Sequence, residues 1–392
     1  MSAMRFERIE LKNWKNFPSV DVKLASRVFL IGPNAIGKSN FLDAFRFLRD
    51  LVVEGGGLAQ ALKSRGGLGR VRSLHAHRDT EVSLETTVLN PTSGARWCYE
   101  VAFTHETRNG HVPVVALERV TAIEPGGSRL LLDRPNDNDR GDLKARTQVA
   151  IQQAPANKAF RELADFLASV SYLHLVPQLL REEAPPPAER LTADPYGRDL
   201  LGIIRDTNPR ARNERLKFIN SVLKTAVPDF LELKMQPDSR GRPHLVVKFE
   251  HWRRYGARQD EVQFSDGTLR FIGFLWALQD KAGPLLLEEP ELSLHPAIVQ
   301  LLAPFIHKAQ VAGGGRQVIV STHSPDLLSD EGIAPEEVLL VRPGTRTGGS
   351  EIVVGADDGA ILQLMESGIP ASEAALPRTN PQPVLDFGTL FP

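Results

Sequence analysis

Gly32-Pro33-Asn34-Ala35-Ile36-Gly37-Lys38-Ser39 has the spacing glycine, four residues, glycine, lysine, hydroxyl residue. That pattern suits phosphate. Glycines let successive backbone N–H groups curl around an anion. Lys38 can neutralise the β and γ phosphates of a nucleotide, and the Ser39 hydroxyl can ligate Mg²⁺, with Asn40 carrying the segment onward. A second run, Leu285-Leu286-Leu287-Glu288-Glu289, ends an apolar stretch in two acids. Side chains alternate along a strand, so the two carboxylates are expected to point apart and take separate tasks. Glu288 would hold the metal through water, and Glu289 would polarise an attacking water.

Such chemistry needs a strand that ends at the glycine segment and a helix that starts from it. Val28 to Ile31 is a continuous apolar tetrad, as in a strand buried on both faces, and Phe41, Phe45, Leu48 and Val52 recur at helical spacing. Upstream, Ile9 and Leu11, then Val20, Val22 and Leu24, alternate with polar residues, which predicts two strands joined by a short loop. Residues 80 to 132 alternate as an antiparallel sheet, with turns near Asn90-Pro91 and Asn109-Gly110, and 133 to 143 read as a polar loop. Helical periodicity covers Phe160 to Val170 and Arg210 to Val227. Strands are expected around Leu245 to Val247 and Val262 to Phe264.

The last third alternates helix (Leu269 to Gln279), strand (Pro284 to Leu287), helix (Pro296 to Ala309) and strand (Val318 to Ser321). The expected class is α/β, with a mostly parallel core sheet, an N-terminal antiparallel β subdomain and a helical insertion. The boundaries follow as 1–143 for an N-terminal lobe, 144–230 for the insertion, 231–345 for a C-terminal lobe and 346–392 for an extension.

Composition narrows the class. With 47 Lys+Arg against 48 Asp+Glu the 392-residue chain has a net charge of −1, so a chain-wide polybasic nucleic-acid binder and an acidic disordered tail are both disfavoured and any basic surface is local. One cysteine, Cys98, excludes an internal disulfide framework and a Cys-rich zinc site. No apolar run reaches the length of a membrane helix, and the N-terminus lacks the apolar core of a secretory signal. A cytoplasmic protein without membrane partners is expected.

Five pieces together resemble the ATP-binding-cassette type ATPases of the RecF/SMC/OLD-like group, soluble P-loop proteins often called AAA family ATPases. In chain order they are Leu11 to Phe17 (LKNWKNF), the glycine segment, Phe264 to Arg270 (FSDGTLR), Leu285 to Pro296 (LLLEEPELSLHP) and Ser321 to Pro325 (STHSP). The resemblance implies an ATPase head that uses ATP and Mg²⁺ and closes head to head as a homodimer around two nucleotides. It makes Ser265, Asp266, Gly267 and Thr268 the signature that meets the γ-phosphate held by the opposite subunit. Leu292 to Pro296 becomes the dimer-contact loop and His323 the switch histidine. Two departures stand out: Glu288 where most cassettes carry Asp, and Asp266 where they carry glycine. No glutamine fits the lobe-coupling position, since Gln60 reads as helical, which leaves His75 or His77.

Weaker signals concern partners. Arg65, Arg70, Arg72, His75, His77 and Arg78 form one basic cluster. Arg205, Arg210, Arg212, Arg215, Lys217 and Lys224 form another, and 251–255 (HWRRY) interleaves bases with aromatics. Each suits DNA or RNA phosphates, but is more simply read as a solvated helix face or as subunit salt bridges. Pro185 to Pro187 reads as a rigid connector. About 67 residues follow Pro325, too few for the acidic TOPRIM nuclease domain of OLD-type proteins. The leading expectation is therefore a nucleotide-gated clamp or sensor that works with a separate effector such as a nuclease, in phage defence or genome maintenance. A RecF-like repair clamp is the alternative, and a transporter ATPase subunit is a third, disfavoured by the LKNWKNF and SDGT segments.

Overall fold

The computed structural model describes residues 4–76, 80–106, 112–124, 126–182, 194–250, 257–280, 283–312, 314–344 and 348–379, apart from the side chains of Asn138 and Arg140. The chain opens with β1 (Arg5–Trp14), β2 (Phe17–Lys23) and β3 (Arg27–Ile31), followed by α1 (Lys38–Val52), α2 (Leu58–Lys63) and α3 (Leu68–Val71). Next come β4 (Val82–Leu89), β5 (Arg96–Glu106), β6 (Val112–Glu124) and β7 (Gly127–Arg134). The middle holds α4 (Asp137–Arg140), α5 (Leu143–Arg146), α6 (Arg161–Ala168), β8 (Ser171–Leu173), α7 (Pro177–Arg181), α8 (Leu200–Asp206) and α9 (Pro209–Ala226). Then follow β9 (Phe230–Pro237), β10 (Pro243–Phe249), β11 (Ala257–Asp260), α10 (Asp266–Leu278), β12 (Leu285–Glu288), α11 (Pro296–Val299) and α12 (Leu302–Ala312). The described chain closes with β13 (Val318–Ser321), β14 (Val338–Pro343), β15 (Ser350–Val354), α13 (Gly359–Glu366) and α14 (Ala371–Ala374).

Three sheets result. The core sheet has the order β15-β14-β3-β13-β12-β8 and is parallel except where β15 pairs with β14. The N-terminal sheet, β2-β1-β4-β5-β6-β7, is antiparallel, and so is the small sheet β11-β10-β9. Alternation along the core strands divides the interior in two. Val28, Leu30, Leu286 and Ile319 face α1 and the N-terminal sheet, whereas Phe29, Ile31, Leu285, Leu287, Val318 and Val320 face α10 and α12. Between the sheets α1 is apolar toward both: Phe41 and Phe45 are fully buried, and Phe6 of β1 meets Phe45 edge-on at 4.9 Å. This is the α/β class expected from the sequence, a mostly parallel core sheet beside an antiparallel N-terminal sheet.

Several expectations change. The loop 133–143 carries the end of β7 and the helix α4, and α5 follows. The strand expected at Val262 to Phe264 is a turn after β11: Val262 is 55% exposed, and Gln263 N–H bonds back to the Asp260 carbonyl at 3.0 Å. β9 was not foreseen. The helix expected over Pro296 to Ala309 breaks into α11 and α12. The stretch 144–230 is not purely helical, because β8 joins the core sheet beside β12, and residues from the 346–392 extension supply β15.

Candidate nucleotide site

The glycine segment leaves β3 and enters α1 through two left-handed residues, Ala35 (φ 61°) and Gly37 (φ 113°). Gly37 has no side chain to cap the helix and the first turn has no acid, so the α1 N–H groups and the positive helix end are left for an anion. Gly32 is needed because a Cβ there would lie 2.5 Å from the Val341 carbonyl. Asn34 and Ala35 stand exposed at the lip, between Pro33 and the half-buried Ile36.

The turn after β1 braces this loop. Asn16 Nδ2 donates to the Ile36 carbonyl (2.5 Å) and to Ser350 Oγ (2.7 Å), while Asn40 Nδ2 donates to Asn16 Oδ1 (2.7 Å). Ser350 Oγ also reaches the Ile36 carbonyl, and Trp14 Nε1 donates to the Asn40 carbonyl at 2.8 Å. Lys38 folds over the loop and donates to the Gly32 and Pro33 carbonyls, each at 2.9 Å. Burial pulls its ammonium down to about 8, against the pull of Glu289, Glu288 and Glu291, which favour the charged form.

Glu288 ends β12 beside α1. The Ser39 hydroxyl donates to Glu288 Oε1 and the Tyr172 hydroxyl to Oε2. A hard-oxygen pair of this kind, hydroxyl plus carboxylate next to a phosphate loop, fits Mg²⁺. Glu289 lies beyond the strand end with φ 45°, so a left-handed turn, rather than strand alternation, swings it away from Glu288. Its N–H bonds the Ser321 carbonyl at 2.9 Å, and its Oε1 lies 3.6 Å from His323 Nε2. Burial, helped by the nearby Lys38 charge, lowers the His323 pKa below the usual imidazole value although Glu289 opposes it, which favours a neutral ring.

Sequence reasoning passed over Glu291, Tyr172 and Asn16. Glu291 Oε1 accepts from Thr322 Oγ1 (2.6 Å) and from the His323 N–H (3.2 Å), which ties the loop after Glu289 to the histidine. Burial pushes this carboxyl's pKa up. The string of acids after β12 was the available signal for it, and the LKNWKNF segment was the signal for Asn16; Tyr172 had none, since its contact depends on a tertiary neighbour.

Lys38, Ser39, Glu288, Glu289 and His323 thus converge. Ser265, Asp266, Gly267 and Thr268 form the start of α10 and make different contacts. Ser265 Oγ caps the helix by accepting from Thr268 N–H at 3.1 Å. Asp266 is held by Arg181 (2.7 Å) and Gln178 (2.9 Å) of α7. Gly267 packs so tightly that a Cβ would lie 2.3 Å from the Ser293 carbonyl.

The basic clusters divide. Arg65 is sunk between Asp43 (2.9 Å) and Asp50 (3.0 Å), Arg205 pairs with Asp206 (2.6 Å), and Arg215 reaches Asp280 (3.3 Å) while stacking on Trp276. Lys217, Lys224 and Lys248 line a groove of about 750 Å³ bounded by α9, β9 and β10, together with Lys234, which pairs with Glu232 at 2.8 Å. His75 and Gln60 line a cleft of about 1190 Å³ that runs along α1 from Ser39. His77, Arg78, Pro185 to Pro187 and 251–255 lie outside the described residues.

Residues 27–329 match the family model described as "AAA domain, putative AbiEii toxin, Type IV TA system". The chain belongs to this AAA domain family. Membership implies an ATP-binding and ATP-hydrolysing domain. A segment of 47 residues is 47% identical to the endonuclease GajA of Bacillus cereus (strain VD045), covering 12% of this chain and 8% of GajA. The AAA domain chain also superposes on an SMC head solved with the C-winged helix domain of ScpA, with a TM-score of 0.53 and 13% identity over 89% of this chain and 97% of that one. That likeness is one of fold. Among the described residues no helix is long and apolar enough to cross a membrane.

Proposed function

We propose that this chain binds ATP with Mg²⁺ at Gly32–Asn40, closes as a homodimer around two nucleotides, and hydrolyses them to reset. The observation that carries the reading is the meeting of Ser39 with Glu288 beside a second acid, Glu289, that faces His323. Lys38 would leave the two loop carbonyls for the β and γ phosphates. Ser39 and Glu288 would hold Mg²⁺, which when bound supplies positive charge to the phosphate oxygens. Glu289 would take the proton of the attacking water while the neutral His323 donates its N–H to a γ-phosphate oxygen. Glu291 would fix the backbone of His323. Ser265, Asp266, Gly267 and Thr268 of one protomer would complete the site of the other.

The setting that suits this head is the cytoplasm, where its nucleotide state would be passed to a nuclease in phage defence or genome maintenance; the local identity with endonuclease GajA supports that partner class. A second reading, a clamp on DNA or RNA phosphates, is favoured by the lysine-lined groove bounded by α9, β9 and β10.

Glu289→Gln keeps the shape and removes the base. It should bind ATP, turn over about 10²–10⁴-fold more slowly, and accumulate as an ATP dimer in size-exclusion chromatography with light scattering. Wild-type turnover would sink the assignment. Material that co-purifies with this trapped form, nuclease or nucleic acid, separates the two readings.

A further inference from the structure

Glu288 carries one more methylene than the aspartate usual at this position, and so one more rotor between backbone and metal. Something must hold that carboxylate if it is to be ready for a cation. The Ser39 hydroxyl holds Oε1; Oε2 is held by Tyr172.

Tyr172 reaches Oε2 by sheet register. β8 pairs in parallel with β12, placing Tyr172 opposite Leu286. Residues two apart on a strand share a face, so Leu286 and Glu288 point the same way and Tyr172 stands one step along from the carboxylate. Its ring packs on the core that contains Leu286 and is covered by the Arg46 guanidinium of α1, 4.3 Å from the ring centre. Arg46 is itself steadied by Asp43 at 3.7 Å. The phenol is therefore clamped between sheet and helix.

We propose that Tyr172 is the positioning residue for the metal: its hydroxyl locks the Glu288 carboxylate with Oε1 turned toward Ser39, so that Mg²⁺ arriving with ATP meets a preset pair of oxygens. A hydroxyl on a ligand carboxylate acts through orientation, and removing such a partner weakens metal affinity by about 10–100-fold. This inference rests on the nucleotide-site reading above.

Tyr172→Phe in the full chain tests it, because phenylalanine keeps the ring and the Arg46 stack. The readout is the affinity of a fluorescent ATP analogue measured in EDTA and again in Mg²⁺. The EDTA affinity should stay within twofold of wild type, while the tightening produced by Mg²⁺ shrinks about tenfold. The half-saturating Mg²⁺ for turnover should rise by a similar factor, with the maximal rate recovered at high Mg²⁺. In a Glu288→Asp background, where the shorter acid withdraws from the hydroxyl, Tyr172→Phe should change nothing further. Metal-dependent tightening within twofold of wild type in the single variant overturns the proposal. A wild-type protein whose nucleotide affinity ignores Mg²⁺ overturns instead the site reading on which it rests.

Discussion

Asn16 offers a test of how the phosphate loop keeps its shape. Replacing it by alanine deletes two donated hydrogen bonds, to the Ile36 carbonyl and Ser350 Oγ, and one accepted from Asn40. At about 0.5–1.5 kcal/mol net for each, the three sum to about 1.5–4.5 kcal/mol. Part survives, since Ser350 Oγ still donates to Ile36 and Trp14 still donates to the Asn40 carbonyl. The Asn16 side chain also fills the space beside Gly37, whose Cβ position would lie 2.1 Å from Asn16 Nδ2, so the variant gives the loop room to relax. Taking about 1–2 kcal/mol as the net cost to the binding-competent loop, its population falls and apparent ATP affinity drops about 5–30-fold. Calorimetric or fluorescence titration in EDTA isolates this effect from the metal. Asn16→Asp, which keeps the acceptor for Asn40 but turns an oxygen on the Ile36 carbonyl, should be at least as weak. ATP affinity within twofold of wild type in Asn16→Ala, with an unchanged melting temperature, would refute the bracing argument.

Two further outcomes are expected. Gly267→Ala forces a methyl against the Ser293 carbonyl, so α10 and the loop after β12 must separate at a cost of about 1–3 kcal/mol; a lower thermal midpoint and lost ATP-dependent dimerisation would show it, and wild-type values for both would contradict it. Lys38, with its pKa near 8, is charged below that pH and neutral above it in the free protein, so ATP binding should release or take up almost no proton through it at pH 7 and take up close to one at pH 9. Calorimetry in buffers of different ionisation enthalpy reads this uptake, and none at pH 9 would remove Lys38 from the phosphates. By the same sign, the free protein loses the cost of burying that charge as pH rises through 8 toward 10.5, its usual value.

The parts of this molecule legible in its sequence are those with local causes. The buried tetrad before Gly32, the helical spacing after Lys38 and the alternation of β1, β4 and β5 each announce themselves over enough residues for a period to show. β8 has three residues between helices, too few for any period, and its place in the core sheet follows only from pairing with β12. β11 was misplaced because its residues, Ala257 to Asp260, are mostly polar at a sheet edge, while the apolar alternation of Val262 and Phe264 belongs to the turn and to the approach of α10. Within the site, the phosphate loop and both acids of the Glu288-Glu289 pair could be read directly. The separation of those acids was foreseen on the wrong ground, a strand pleat, where the backbone uses a left-handed residue. Asn16 and Glu291 lay inside segments that were singled out, but their roles, like that of Tyr172, escaped because hydrogen bonds to distant residues leave no trace in spacing.

The two groups that hold the Glu288 carboxylate stand 249 and 116 positions before it in the chain. A growing polypeptide therefore exposes its phosphate loop long before the acid that would accompany a metal has been made. β3 itself pairs with β13 and β14, and Ser350 of β15 bonds the Ile36 carbonyl, so the loop takes its braced form only once these later strands have been made. On the proposed function, ATP turnover would report that synthesis and long-range closure are both finished, and slow closure of so non-local a sheet would set the earliest moment for it.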